Sequence, residues 1–311
     1  MPLKYLLTGS TGGLGAQILN YFTANLPTST FAASSSNPSN SSKFTSQGIQ
    51  FRTVNYDDPS TLEDAFQDVE NLLFVSTNTF DVERRRRQHQ NVVDAARKLG
   101  VKHVWYTSLA FGGFESNSKA SVQQAHYMTE EMLKISGITY TSIREGVYTE
   151  AFPLFLNWYP STKILYLPSG GSTGKIAFTL RSELAEATAK LMVTGGHENE
   201  IVLLTAGESI SVSEIVEIIN QITGREVKIE LVEPETYVRV NAEGDEGGKA
   251  EAFFRKLVGW FEGIARGELE STHGLMAEVL GREPVGAKRG IEELLEGERD
   301  YTWHQNYAKR L

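Results

Sequence analysis

Apolar residues follow two rhythms over the first half of the chain. Short unbroken runs occur at residues 4–8, 30–34, 49–54, 71–76 (NLLFVS), 101–107 (VKHVWYT) and 138–144. Runs of this length without polar alternation predict strands buried on both faces. Between them, apolar residues recur three or four positions apart, which predicts helices. The first covers 12–25, with Leu14, Ile18, Leu19 and Phe22 on one face. Others follow at 60–66 behind Pro59, at 83–99 closed by Gly100, and at 121–136 closed by Gly137. The polar stretch 35–47 reads as a loop with at most a loose turn of helix. Strand and helix alternate six times, so the expected fold class is α/β, a doubly wound and mostly parallel sheet.

Beyond Gly146 the rhythm breaks. Residues 147–160 are aromatic and apolar, and 169–175 form a glycine-rich loop. Helices are expected at 181–194 and at 212–223, the latter opened by Ser211 and closed by Gly224. Strands are expected at 201–204 and 227–232. Residues 241–249 (NAEGDEGGK) are the most linker-like segment, followed by an amphipathic helix at 250–264 rich in Phe and Trp. Short helices with turns near 281–284 and Gly286 complete the chain. The organisation expected is a nucleotide-binding domain over 1–150, with elements returning from about 176–205, and a smaller C-terminal α/β lobe over 151–311.

Composition narrows the functions. Of 311 residues, 40% are hydrophobic and 22% charged, as in a globular protein rather than a disordered one. The net charge of -9 argues against direct nucleic-acid binding, which needs a basic surface. There is no cysteine, hence no disulfide, thiolate nucleophile or cysteine-based zinc site. The apolar run at the opening is too short for a signal peptide, and no stretch is long enough to span a membrane. A cytoplasmic protein is expected.

Gly9-Ser-Thr-Gly12-Gly13-Leu-Gly15 directly follows the first strand and opens the first helix. Gly9 permits the tight turn, Gly12 lets a diphosphate approach the backbone, and Gly15 lets the helix lie close to the sheet. The helix N-terminus supplies unpaired N–H groups and a favourable dipole. Two residues, not one, separate the first two glycines, and no Gly-Lys-Ser/Thr follows as a P-loop requires. The site therefore reads as a Rossmann-like dinucleotide cradle. The second strand ends in Ser34-Ser35-Ser36-Asn37 with no acid to hold a ribose diol, and Lys43 is the nearest cation. This favours NADP, with NAD possible.

These residues resemble the NmrA-like group of atypical short-chain dehydrogenases, which includes NADPH-dependent quinone oxidoreductases, triphenylmethane-type reductases and redox-sensing regulators. The likeness continues through NYDDP at 55–59, HQNVVDAA at 89–96, VKHVWYTSL at 101–109 and HYMTEEMLKISGITYTSIREGVYTE at 126–150. It implies that Gly9, Thr11, Gly12, Gly13, Leu14 and Gly15 surround the diphosphate. It places Ser35 and Ser36 where relatives often carry a phosphate-binding arginine, and Asn55 near the adenine. Ser76, Thr77 and Asn78 would pass beneath the nicotinamide ribose, with Thr107 and Ser108 close to the nicotinamide. The segment from Tyr148 to Phe155 would form part of a substrate wall. One departure stands out: where ordinary dehydrogenases carry Tyr-x-x-x-Lys, His126 stands at the lysine position and the tyrosine position falls near Val122.

Without that tyrosine, reduction of a simple carbonyl lacks its proton donor, whereas a conjugated acceptor spreads the developing charge and needs mainly positioning. His126, Ser108 and Tyr148 are the catalytic candidates. Each has a plainer alternative: a hydrogen-bonded helix histidine, a cap serine and a packed aromatic. His89 and Asn91 read as structural, and Arg84 to Arg87 as a solvated helix face. The scattered histidines suggest no metal. The expected function is NAD(P)H-dependent reduction of a quinone or another small conjugated acceptor. The alternative is a non-enzymatic NAD(P)-binding redox sensor acting through a protein partner.

Overall fold

The computed structural model describes residues 2–79 and 81–302; the last part of the expected C-terminal short helices, 303–311, lies outside them. The chain begins β1 (Leu3–Leu7), α1 (Gly13–Asn25), β2 (Phe31–Ser35), α2 (Ser41–Thr45), β3 (Gln50–Thr53), α3 (Pro59–Ala65), β4 (Val69–Phe74) and α4 (Val82–Lys98). It continues with β5 (His103–Leu109), α5 (Ser121–Ser136), β6 (Thr139–Glu145), α6 (Phe152–Leu156), β7 (Ile164–Pro168), β8 (Lys175–Ile176), α7 (Arg181–Thr194) and β9 (Glu200–Leu204). It ends with β10 (Ile210–Ser211), α8 (Val212–Thr223), β11 (Lys228–Val232), α9 (Pro234–Glu243), α10 (Glu251–Ala265), α11 (Leu275–Leu280) and α12 (Ala287–Gly297).

Seven strands form one sheet in the order β3-β2-β1-β4-β5-β6-β9. β1 pairs in parallel with both β2 and β4, and β2–β3, β4–β5 and β5–β6 are parallel too. The sheet is the doubly wound one expected, because each apolar run needs cover on both faces. On α1, Phe22 meets Tyr5 and Phe31 edge-on, with ring centroids 5.1 and 5.7 Å apart, which seats the helix on β1 and β2. Leu6, Leu72, Val104, Phe66, Val92 and Ala96 belong to one buried cluster.

The chain divides into two compact units. The first holds the residues up to Leu109, then Ala125–Glu145 and Ser182–Val202. The second holds Ala110–Gln124, Gly146–Arg181 and the chain from Leu203 onward. In the second unit, α8 opens with a reciprocal cap between Ser211 and Glu214 and closes at Gly224 with φ of 72°, as its sequence requires. Among the described residues, no helix is long and apolar enough to cross a membrane.

Three segments differ from expectation. The 35–47 stretch contains a 3-10 turn and the short α2, because Phe44 is buried and stacks on Phe51 at 5.7 Å. The ILYLP run forms β7, which pairs in parallel with β11; the sequence reading passed over it. The supposed linker at 241–249 is anchored instead. Lys249 Nζ lies 2.6 Å from Asp245 Oδ1, and both side chains are wholly buried. Tyr159 Oη donates to the same carboxylate at 2.7 Å and accepts from Lys249 Nζ and from the Gly247 amide. A buried ion pair with its hydrogen bonds satisfied ties a glycine-rich stretch down whatever its composition suggests.

Candidate functional site

The turn from β1 to α1 has no room for side chains at two points. Gly9 sits at φ +65°, where its absent Cβ would lie 3.2 Å from that of Val75. A Cβ on Gly15 would stand 2.3 Å from the Gly9 carbonyl oxygen, so α1 can cross the turn this closely only with glycine there. Gly12 is different: it is extended (φ -90°), caps α1 without a side-chain hydrogen bond, and donates its own N–H to Gly9 at 2.8 Å. The first N–H groups of an α-helix have no partner within it. Here they begin at Gly13, which is exposed together with Thr11 and Gly12, and no acidic residue occupies the first turn. Leu14 and Gly15 are buried, so they can offer a ligand backbone only.

At the end of β2, Ser34 Oγ and Ser10 Oγ both donate to the Leu7 carbonyl, joining the ends of β1 and β2. Ser35 Oγ is buried and accepts from the Asn37 N–H and Asn40 Nδ2, whereas Ser36 and Lys43 are exposed. Asn55, half-buried, accepts the Asp57 N–H on its Oδ1.

The exit of β4 is irregular, yet its backbone is held almost residue by residue. Val75 N–H donates to Thr8 Oγ1, Ser76 N–H to Thr107 Oγ1, and Thr77 N–H to His89 Nε2. The carbonyls of Thr77 and Thr79 accept from the Arg85 guanidinium at 2.8 and 3.1 Å, and Ser76 Oγ accepts from it at 3.1 Å. Asn78 lies exposed at the tip. Side chains from β1, β5 and α4 thus supply what regular secondary structure would otherwise give this backbone.

His126 lies behind this loop, with Nε2 3.4 Å from Arg85 Nη1 and Nδ1 2.9 Å from Tyr106 Oη. A guanidinium can only donate, so Nε2 accepts and Nδ1–H donates to Tyr106. The same reasoning assigns His89: Nε2 accepts from Thr77, so Nδ1–H donates to Thr129 Oγ1 at 2.7 Å. Burial, then the Arg85 charge, holds both imidazoles well below their ordinary 6.5. Burial pushes the Tyr106 phenol up to about 12.

Ser108, the second candidate, donates to Glu130 Oε1 at 2.7 Å. Glu130 also accepts from Ser142 Oγ at 2.8 Å, from Arg144 Nε at 3.0 Å and from Arg144 Nη2 at 2.7 Å. Tyr148 belongs to the second unit, where it bridges to Thr179 and is half-exposed. The first unit therefore gathers all the other candidates, while Tyr148 lies in the second, which also holds the ring contacts of Phe155 with Phe178 and Trp260.

A model of the NmrA-like family matches residues 4–293. The chain belongs to the NmrA-like family. It is 56% identical over 310 residues to an NmrA-like family domain-containing oxidoreductase of Aspergillus flavus, covering 99% of this chain and 100% of the other. Among solved structures, a Citrobacter sp. triphenylmethane reductase complexed with NADP(H) is similar with a TM-score of 0.80 and 27% identity, covering 93% of this chain and 99% of that one. An NADPH-dependent quinone oxidoreductase of Escherichia coli, complexed with NADPH, is similar with a TM-score of 0.81 and 26% identity, covering 94% and 99%.

Two buried charged groups beside the candidates of this NmrA-like chain were not expected from its sequence. Arg84 does lie on a solvated face, pairing with Asp57 at 2.7 Å, and Arg86 pairs with Glu83. Arg85 does not, for it is 7% exposed. The signal was present: Arg85, His89, Val92 and Ala96 follow helical spacing along the buried stripe of α4. Glu130 carried the same signal, standing four residues after His126 and three before Leu133 on the buried side of α5.

The buried histidines make stability depend on pH. His89 and His126 are held neutral, and burial lowers His103 to about 4. Below pH 6.5 the unfolded chain binds protons that the folded one refuses. The contribution is full above that value and is lost as pH falls from 6.5 toward the folded values. Each such histidine adds a slope of up to about 1.4 kcal/mol per pH unit. Urea unfolding should therefore show declining stability between pH 6.5 and 5, above the carboxylate range. A flat profile there would contradict buried neutral imidazoles.

Proposed function

We propose that this chain is an NADPH-dependent oxidoreductase acting on a small, flat, conjugated acceptor of the quinone class. The observation that carries the reading is the open first turn of α1, reached by a crossing too close for side chains and flanked at the same sheet edge by the tethered exit of β4. The named activities of the relatives support it, as does NADP(H) in two of the similar structures. The residues fit the cofactor. The exposed amides at Thr11 and Gly13 bind the diphosphate, Gly12 giving it a side-chain-free approach, with backbone help from Leu14 and Gly15 below the turn at Gly9. Ser36, with Ser35 shaping the turn beneath it, faces the 2′-phosphate, and the lack of an acid at the end of β2 favours the phosphorylated form. Asn55 borders the adenine.

When bound, NADPH supplies the hydride. The chain orients it: Ser76, Thr77 and Asn78 carry the nicotinamide ribose, and Thr107 fixes the Ser76 amide from β5. Ser108 and His126 border the nicotinamide as positioning groups, because their polar atoms already have partners in the protein. Tyr148 is the polar side chain proposed to touch the acceptor, and residues 151–311 mainly provide the acceptor-binding lobe. A conjugated acceptor needs no dedicated proton donor, since its charge is delocalised until solvent protonates it. The cytoplasm, where NADPH is regenerated, is the location we propose.

The test is a titration with NADPH, NADH, NADP and NAD, followed by a panel of quinones and other conjugated acceptors with the tightest reduced form. Steady NADPH oxidation by simple quinones is the expected result. Binding of both oxidation states without consumption across the panel would replace the enzyme with a redox sensor that reports to a protein partner.

A further inference from the structure

We propose that Arg85 is a positioning residue of the hydride-transfer site, which sets the shape of the loop under the nicotinamide ribose and fixes the tautomer of His126. The inference rests on the reductase reading above. Its basis is the set of partners that one buried guanidinium reaches. Arg85 Nη2 donates to the carbonyls of Thr77 and Thr79, and its Nη1 donates to Ser76 Oγ and faces His126 Nε2. Three residues between β4 and α4 and one ring nitrogen of α5 therefore depend on a single planar fork.

A guanidinium suits this task because its donors diverge in a fixed plane and it stays charged at every working pH. Residues 75–79 of this loop lie outside any strand or helix. Without Arg85, two of its carbonyls and one hydroxyl would lose their donor. The Thr77 amide would remain on His89 and the Ser76 amide on Thr107, so the loop would stay attached but could rotate about those points. That predicts misplacement rather than collapse.

The link to His126 has a second effect. Arg85 occupies the Nε2 lone pair, so the ring proton sits on Nδ1 and is directed at Tyr106, whose phenol is hydrogen-bonded in turn to Ser76 and Thr129. Arg85, His126, Tyr106 and Ser76 thus close a ring of hydrogen bonds behind the loop. The titratable and charged groups facing His126 are Arg85 and His89 from α4, Tyr106 from β5 and Arg144 from β6. The three besides Tyr106 all disfavour a second proton on the imidazole. The ring therefore has one protonation pattern across the working range, and the loop one geometry.

The experiment compares wild type with Arg85→Met and Arg85→Lys, using NADPH and a simple quinone between pH 5 and 8. Arg85→Met should lower kcat on the order of 100-fold, the cost of a misplacement near 1 Å, while the NADPH Kd changes far less because α1 still holds the diphosphate. Its rate should also decline more toward acid pH than that of wild type, because one of the charges that keeps His126 neutral is gone, although burial still opposes its protonation. Arg85→Lys keeps the charge and loses the fork, so it should keep the wild-type pH profile yet remain slow. A folded Arg85→Met enzyme with wild-type kcat and an unchanged pH profile overturns the proposal. Should Arg85→Met not fold, nitrogen-15 spectra of wild-type His126 decide: protonated Nδ1 and bare Nε2 support the assignment, and the opposite tautomer overturns it. These spectra do not require turnover, so an inactive wild type would defeat the reductase reading while the tautomer remains measured.

Discussion

Gly12→Asp is expected to abolish useful NADPH binding while leaving the protein folded and close to its original stability. One tight contact opposes the change, and it asks for a shift of only a few tenths of an ångström. Gly12 has an extended backbone that any residue can adopt, and its added Cβ would meet only the Gly9 carbonyl oxygen at 3.3 Å. Aspartate is a better N-cap than glycine by a few tenths of a kcal/mol, and its charge suits the positive end of α1. The carboxylate would satisfy the same amides that a diphosphate needs. Repulsion between the two anions at ~4 Å is about 4 kcal/mol at an effective dielectric near 20, on the order of a thousandfold in Kd. Thermal unfolding and a fluorescence titration measure the two halves of the prediction separately. Gly15→Ala is the contrasting control, because its methyl would collide with the Gly9 backbone and damage the turn itself. Wild-type affinity in Gly12→Asp would remove the diphosphate from α1, and with it the cofactor assignment.

That contrast shows what a sequence can and cannot disclose here. The glycine motif was legible because backbone geometry alone decides it. The sheet was legible because strands covered on both faces leave unbroken apolar runs, and α8 because Ser211, Glu214 and Gly224 are local signals. The segment 241–249 misled for the opposite reason: its composition is that of a linker, but its conformation is set by Asp245 and Lys249 meeting Tyr159, more than eighty residues away. The run from Arg84 to Arg87 misled by its charge. Taken as a block it looks solvated, whereas taken one residue at a time it puts Arg85 in line with His89 and Val92. Helical spacing should outrank charge whenever a single cation shares the stripe of buried neighbours.

The polar groups behind the sheet edge also explain why the candidate catalytic side chains looked more available in sequence than they are. The catalytic candidates His126 and Ser108, and Thr107 among the expected cofactor-binding residues, each sit at a position where a ligand would be expected, and each already has a protein partner. Their chemistry is spent on holding β4, β5 and α5 in register. An acceptor that needs no proton donor suits such a site, since what the residues provide is fixed geometry.

Glu130→Ala should be among the most destabilising single changes, at about 3–5 kcal/mol, the usual cost of stranding a buried charge. Arg144 has a wholly buried side chain and Glu130 one that is 8% exposed, and their fork-to-fork pairing takes both carboxylate oxygens. Removing the carboxylate takes from the guanidinium its two-oxygen pairing and from the hydroxyls of Ser108 and Ser142 the carboxylate that accepts them. Water cannot readily replace it where neither serine is accessible. The double variant Glu130→Ala/Arg144→Met should be more stable than Glu130→Ala alone, since an apolar side chain of similar length needs no partner in that space. Urea unfolding of the three proteins tests this. A double variant no more stable than the single one would assign the loss to a cavity rather than to charge. Catalysis adds an independent readout: the double variant should regain stability but not full activity, because Ser108 would still lack the carboxylate that aims it on β5.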